Sequence, residues 1–136
     1  MRNTSIAVFT VITLLICSAS AHARDAFAGT WKVTVSPDES NKSSGKEFKD
    51  TLTFKGNQFK SKTLEDRGYK EADYEEDTRA GLVATFKSTS KSEKEGGTAV
   101  WTGTSTGQDI TGELTITQKD GTEVKYTFKG TKEATK

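Results

Sequence analysis

The residues that could do chemistry in this chain of 136 are one cysteine, one histidine and the carboxylates. Cys17 stands after Ile16, where a lipid-attachment signal requires a small residue, so lipidation is not expected. His22 lies inside Ala21-His22-Ala23, an A-x-A pattern of the type cut by signal peptidases. Cleavage there removes both groups. The mature chain then has neither a thiolate nucleophile nor an imidazole base. The densest carboxylates are Glu71, Asp73, Glu75, Glu76 and Asp77. A hard cation needs several oxygens converging from a turn with a glycine at the bend, and no D-x-D-x-D-G spacing occurs here. These acids read as a solvated strand edge, where charge discourages edge-to-edge aggregation. Serines and lysines are too common for any pair to stand out. We expect no catalytic residue, no metal site and no cofactor, and do not read the chain as an enzyme. Asn41-Lys42-Ser43 matches the N-glycosylation sequon, which matters only in a eukaryotic secretory pathway, and reads as a chance match.

The elements that must position any site begin after a leader. Arg2 is the only charge before Arg24, and Ile6–Ile16 is apolar except for Thr10 and Thr13. The run is shorter than the roughly 20 residues that span a bilayer. Residues 1–23 therefore read as a signal peptide and residues 24–136 as a single exported domain, periplasmic or secreted, with no stable membrane anchor. Without cysteine, that domain must rest on its core alone. The whole chain carries a formal net charge of +1. Arg2 leaves with the leader and no acid does, so the mature chain comes to zero. A field strong enough to draw in nucleic acid or anionic membrane is not expected.

The mature sequence reads as strands. Phe27, Gly29, Trp31, Val33 and Val35 alternate with polar residues, which sets them on one inward face. Phe48, Leu52 and Phe54 share a face of a second strand over 46–55. Gly56-Asn57 then forms a two-residue turn that pairs Phe54 with Phe59. A third strand is predicted over 58–64, a turn at 65–68, an acidic strand over 69–77 and a turn at 78–81. Leu82, Ala84 and Phe86 alternate in the next strand, and a charged loop runs from Ser90 to Gly97. Two registers compete for the strand at 98–105. A turn at Thr106-Gly107 places Trp101 inside opposite Gly112. A turn ending at Gln108 places Val100 inside opposite Leu114. A Trp beside small residues favours the first. In the last hairpin, a three-residue loop at Lys119-Asp120-Gly121 pairs Ile116 with Val124 and Leu114 with Tyr126, with Gly121 left-handed.

About eight antiparallel strands with short turns and no amphipathic helix predict an all-β domain, an up-and-down barrel or alternatively a β-sandwich. Phe27-Ala28-Gly29-Thr30-Trp31 resembles the G-x-W signature on the first strand of lipocalins and related calycin barrels. The resemblance implies that Trp31 plugs the closed end and that the last strand, at Tyr126–Gly130, pairs with the first. The lipocalin T-D-Y motif, closing arginine and C-terminal helix have no counterpart here. The implied function is an exported lipocalin-like protein binding a small apolar ligand in its open end. Phe48, Phe54, Phe59, Leu82, Phe86, Trp101 and Tyr126 are the candidate lining, with plain core as the alternative reading. The other functional class is a protein-interaction module, such as a periplasmic protease inhibitor or an envelope-associated structural protein. Its contacts would be the loops Asp38–Glu47 and Ser90–Gly97 and the acidic run Glu71–Asp77.

Overall fold

The computed structural model describes residues 26–41, 45–80 and 83–134, without the side chains of residues 79 and 80. The expected leader, Leu82 and part of the Asn41 sequon lie outside the described residues. The rest is a closed barrel in which eight antiparallel strands follow one another in sequence order. They are β1 (Gly29–Pro37), β2 (Phe48–Lys55), β3 (Gln58–Ser61), β4 (Ala72–Ala80), β5 (Val83–Lys91), β6 (Thr98–Ser105), β7 (Asp109–Thr117) and β8 (Glu123–Lys132). The sheet closes where β8 pairs with β1, with Val35 opposite Phe128 and Val33 opposite Gly130. A Cβ on Gly130 would lie 2.0 Å from the Lys32 carbonyl oxygen, so only glycine lets the two backbones approach at this seam.

Alternation explains the core. Trp31, Val33 and Val35 on β1, Leu52 and Phe54 on β2, Ala84 and Phe86 on β5, and Ile110, Leu114 and Ile116 on β7 all point inward and are buried. The Gly56-Asn57 hairpin has the expected register, with Phe54 opposite Phe59. The last hairpin does too: Ile116 faces Val124, Leu114 faces Tyr126, and Gly121 has φ +91°.

Trp101 faces inward as favoured, but neither expected turn forms. Trp101 stands opposite Leu114, and Gly103 takes the place opposite Gly112. Thr106 N–H donates to the Asp109 carbonyl at 3.1 Å, so the two turn residues are Gly107 and Gln108. Gly107, at φ +97°, supplies the positive φ at the first turn position, which is what the right-handed twist of the flanking strands favours. The glycine therefore sits one place earlier in the turn than the sequence predicts.

The larger departure comes after β3. The strand stops at Ser61, and a short helix, α1 (Lys62–Asp66), replaces the rest of the expected strand over 58–64 and the start of the expected turn at 65–68. The Ser61 side chain caps α1 by accepting the Leu64 N–H at 3.1 Å, and Leu64 is buried. The Tyr69 N–H bonds back to the Leu64 carbonyl at 2.9 Å. Tyr69 therefore makes only an isolated bridge to Ser92, and β4 begins at Ala72 rather than at Tyr69. β4 also continues to Ala80, through most of the expected turn at 78–81. β5 likewise extends into the expected charged loop, as far as Lys91.

Candidate functional site

The sequence singles out seven residues as a ligand lining. Four of them, Phe54, Phe59, Phe86 and Trp101, come together in the barrel interior, each at most 3% exposed. They pack on one another. Ring centroids are 4.9 Å apart for Phe54–Phe59 and for Phe54–Phe86, and 5.5 Å for Phe59–Phe86 and for Phe59–Trp101. Offset and edge contacts at such distances are the favourable geometry for aromatic pairs. Phe48 and Tyr126 are half-buried and form their own edge-on pair at 5.8 Å. Leu82 lies outside the described residues.

Both ends of this interior carry buried side chains. Phe27 precedes β1 and is fully buried, 5.3 Å from the Phe54 ring and 4.9 Å from the Phe86 ring. Its carbonyl accepts the Trp31 indole N–H at 2.8 Å. Ala26 N–H reaches the Glu76 carboxylate at 2.9 Å, so the segment entering the barrel is tied to β4 as well. The Lys132 ammonium lies 5.6 Å over the Trp31 ring, a cation–π contact on the residue expected to plug this end. At the opposite end, Leu64 and Tyr69 join the core cluster.

Sequence reasoning misses the polar residues of that second end. Asp50 is on the inward face of β2 and only 5% exposed. Its carboxylate accepts the Thr51 N–H at 2.7 Å, the Thr63 N–H at 2.9 Å and the Ser61 hydroxyl. It therefore ties β2 to the start of α1. An acid in phase with Leu52 and Phe54 is the signal: at an inward position it must find donors. After α1, the Arg67 guanidinium grips Glu95 with two hydrogen bonds of 3.0 and 2.9 Å. Those bonds hold the Glu95 carboxyl below its ordinary pKa, and burial raises that of the Tyr69 phenol. Ser92 completes the corner, donating to the Arg67 carbonyl at 2.9 Å and accepting the Glu95 N–H at 3.0 Å.

One polar atom inside is unsatisfied. The Trp101 indole N–H is buried and has no acceptor among the described residues. Its cross-strand neighbour Ser88 donates its own hydroxyl to the Asp73 carbonyl. Among the described residues no three metal-ligating side chains converge. Five open depressions of about 430–520 Å³ are lined mainly by residues on the outside of the strands or at the rim.

The acidic run expected as a contact surface, Glu71–Asp77, is on β4 except for Glu71, which precedes it. Asp73, Glu75 and Asp77 point outward, with Thr89, Lys87 and Thr85 beside them on β5.

Comparison with known proteins returns no match. No family model, no curated protein and no solved structure is similar to the chain.

Proposed function

We propose that this protein is an exported, lipocalin-like barrel that acts through its outer surface as an interaction module. One observation carries the reading. The aromatic residues that would line a ligand cavity contact one another instead, and Phe27 at one end and Leu64 with Tyr69 at the other bury their side chains into the same core. Eight strands make an interior that side chains can fill, and here bulky rings take up that space. The leader-like N-terminus supports the exported compartment. The Phe27–Trp31 arrangement and the β8–β1 closure support lipocalin-like architecture.

A second reading has its own support. The unpartnered Trp101 N–H, with Ser88, Ser90 and Ala99 as small buried neighbours across the β5–β6 pair, favours a small guest carrying a hydrogen-bond acceptor. Native mass spectrometry of the protein purified from its own host separates the two. The surface reading predicts a clean mass and no displaceable binding of an apolar dye at micromolar protein. A stoichiometric added mass that disappears on denaturation would overturn it and favour the internal guest.

A further inference from the structure

The net charge of the mature chain is near zero, but the barrel separates its charges by strand. On β1 the outward residues are Thr30, Lys32, Thr34 and Ser36; on β2 they are Lys49, Thr51, Thr53 and Lys55; on β3 they are Gln58 and Lys60. Within their spans these three adjacent strands present no outward acid; Glu47, one residue before β2, stands at the edge of the wall and accepts the Ser36 hydroxyl at 2.9 Å. β8 continues the wall with Lys125, Thr127, Lys129 and Thr131, and its one outward acid, Glu123, is at the far end of the strand. Cross-strand registers set the side chains in rows. Lys129, Thr34 and Lys49 lie side by side, and Thr131, Lys32 and Thr51 form the next row. Acids border the wall on both sides: Asp109 and Glu113 on β7, and Asp73, Glu75 and Asp77 on β4.

The lysines of the two central rows are available. Lys49 and Lys129 are exposed and make no ion pair among the described residues, and Lys32 donates to the Thr51 hydroxyl at 3.1 Å. Lys60 and Lys62, at the β3 side, are paired with Glu65 and Asp66. Between the rows and α1 is a depression of about 430 Å³, lined by three lysines (Lys32, Lys49 and Lys62), three threonines, Val33 and the nearly buried Asp50. That volume is within the roughly 300–1,000 Å³ of small-molecule sites.

We propose that the outward face of β8, β1, β2 and β3 binds an acidic polysaccharide. Its anionic groups meet Lys32, Lys49 and Lys129, and its hydroxyls meet the intervening threonines. The inference rests on the reading of the protein as an exported module that works through its surface. Side-chain chemistry selects this partner among polyanions. The wall has no outward aromatic residue on which nucleic-acid bases could stack. It has no outward apolar residue to enter a bilayer, and no arginine to fork onto phosphate. It offers ammonium groups alternating with hydroxyls on a broad sheet surface, which suits a chain of sugars carrying carboxylate or sulfate.

The test uses the full mature protein with polygalacturonate and dextran sulfate as carboxylate and sulfate probes, and neutral dextran as control. Calorimetric titration should detect binding to at least one acidic probe and none to neutral dextran. Raising salt from about 50 to 200 mM should weaken that binding roughly tenfold or more, because few phosphate-like contacts already give such a slope. Replacing Lys32, Lys49 and Lys129 with Gln should abolish it, with the thermal midpoint confirming the fold. Replacing Lys87 and Lys91 on β5 with Gln should leave it intact. Equal loss from both sets, tighter binding to single-stranded DNA, or no binding to either probe would overturn the proposal. Absence of polysaccharide binding by a protein with a clean native mass would remove this partner and leave the surface reading standing; an internal guest mass would remove the surface reading itself.

Discussion

At the end where the chain enters, the barrel is closed by hydrocarbon. Phe27 packs on Phe54 and Phe86, and the Trp31 indole N–H buried there is answered by the Phe27 carbonyl. At the opposite end the closure is polar. Asp50, Ser61 and the start of α1 form one hydrogen-bonded cluster, and Arg67, Glu95 and Ser92 form another beside Tyr69. The first kind of closure depends on area removed from water and tolerates small shifts. The second depends on directed bonds, which are worth little each when made and cost more when one partner is left unsatisfied. The two ends should therefore fail in different ways.

The largest effect is expected at the hydrocarbon end. Phe27→Ala deletes a fully buried ring and should cost about 3–5 kcal/mol in chemical denaturation, the usual range for Phe→Ala in a core. A cost below about 1 kcal/mol would mean that the entering segment does not close the barrel. Gly130→Ala tests the seam that joins both ends. Its new Cβ would overlap the Lys32 carbonyl, so a loss of about 1–3 kcal/mol or more is expected, with faster amide exchange along β1 and β8. The polar end is tested by Asp50→Ala, which leaves the Thr63 N–H and the Ser61 hydroxyl without their acceptor. We expect about 1–3 kcal/mol, with amide exchange accelerated in α1 but not in β1. Exchange that rises evenly over the barrel would erase the contrast between the ends.

The smallest effect is a pH dependence. The folded-state pKa of Glu95 is lowered by its hydrogen bonds from Arg67, so its contribution to stability is present above its ordinary value of 4.5 and is lost as pH falls through the folded value. The pair is more than a third exposed, which limits the contribution to a few tenths of a kcal/mol, about the usual value for surface pairs. Glu95→Gln should be slightly less stable than the parent at pH 7, and the difference should shrink as pH falls below 4.5. Tyr69 carries the opposite dependence: burial raises its phenol pKa, so the stability it adds is present below 10.0 and is lost as pH rises above that value. In a phenolate absorbance titration Tyr69 should ionise at higher pH than a free tyrosine.

The contrast between the ends also marks what is legible in the sequence. Wherever side chains alternate in a long strand, period and turn chemistry agree, and the Phe54–Phe59 and Ile116–Val124 registers result from them. The two turns that the sequence allows put opposite faces of β6 inside, and only the small neighbours Ala99 and Gly103 make the inward face of Trp101 legible. Its cross-strand partner is not, because Gly107 fits two positions of a short turn equally well from sequence alone. α1 is illegible for another reason. Lys62–Asp66 is too short for a helical period to show, and its stability comes from Asp50, eleven residues before Ser61 in the chain, rather than from local propensity. The candidate lining residues are legible as inward aromatics. That they touch one another across the barrel is a matter of closure and shear, which no single strand encodes. The basic wall is hidden by a near-zero net charge, which sums over strands that the fold keeps apart.

Hydrogen exchange of the two indole N–H groups, followed by NMR on residues 24–136, tests the filled barrel most directly. Trp31 is bonded to the Phe27 carbonyl at the hydrocarbon end, while Trp101 is buried against Phe59 and Phe128 without an acceptor among the described residues. If side chains fill the interior and both ends are closed, both indoles exchange only on global unfolding, at the same rate as the slowest β-sheet amides. If Trp101 exchanges orders of magnitude faster while Trp31 stays protected, water reaches the middle of the barrel, and the account of a filled interior is wrong.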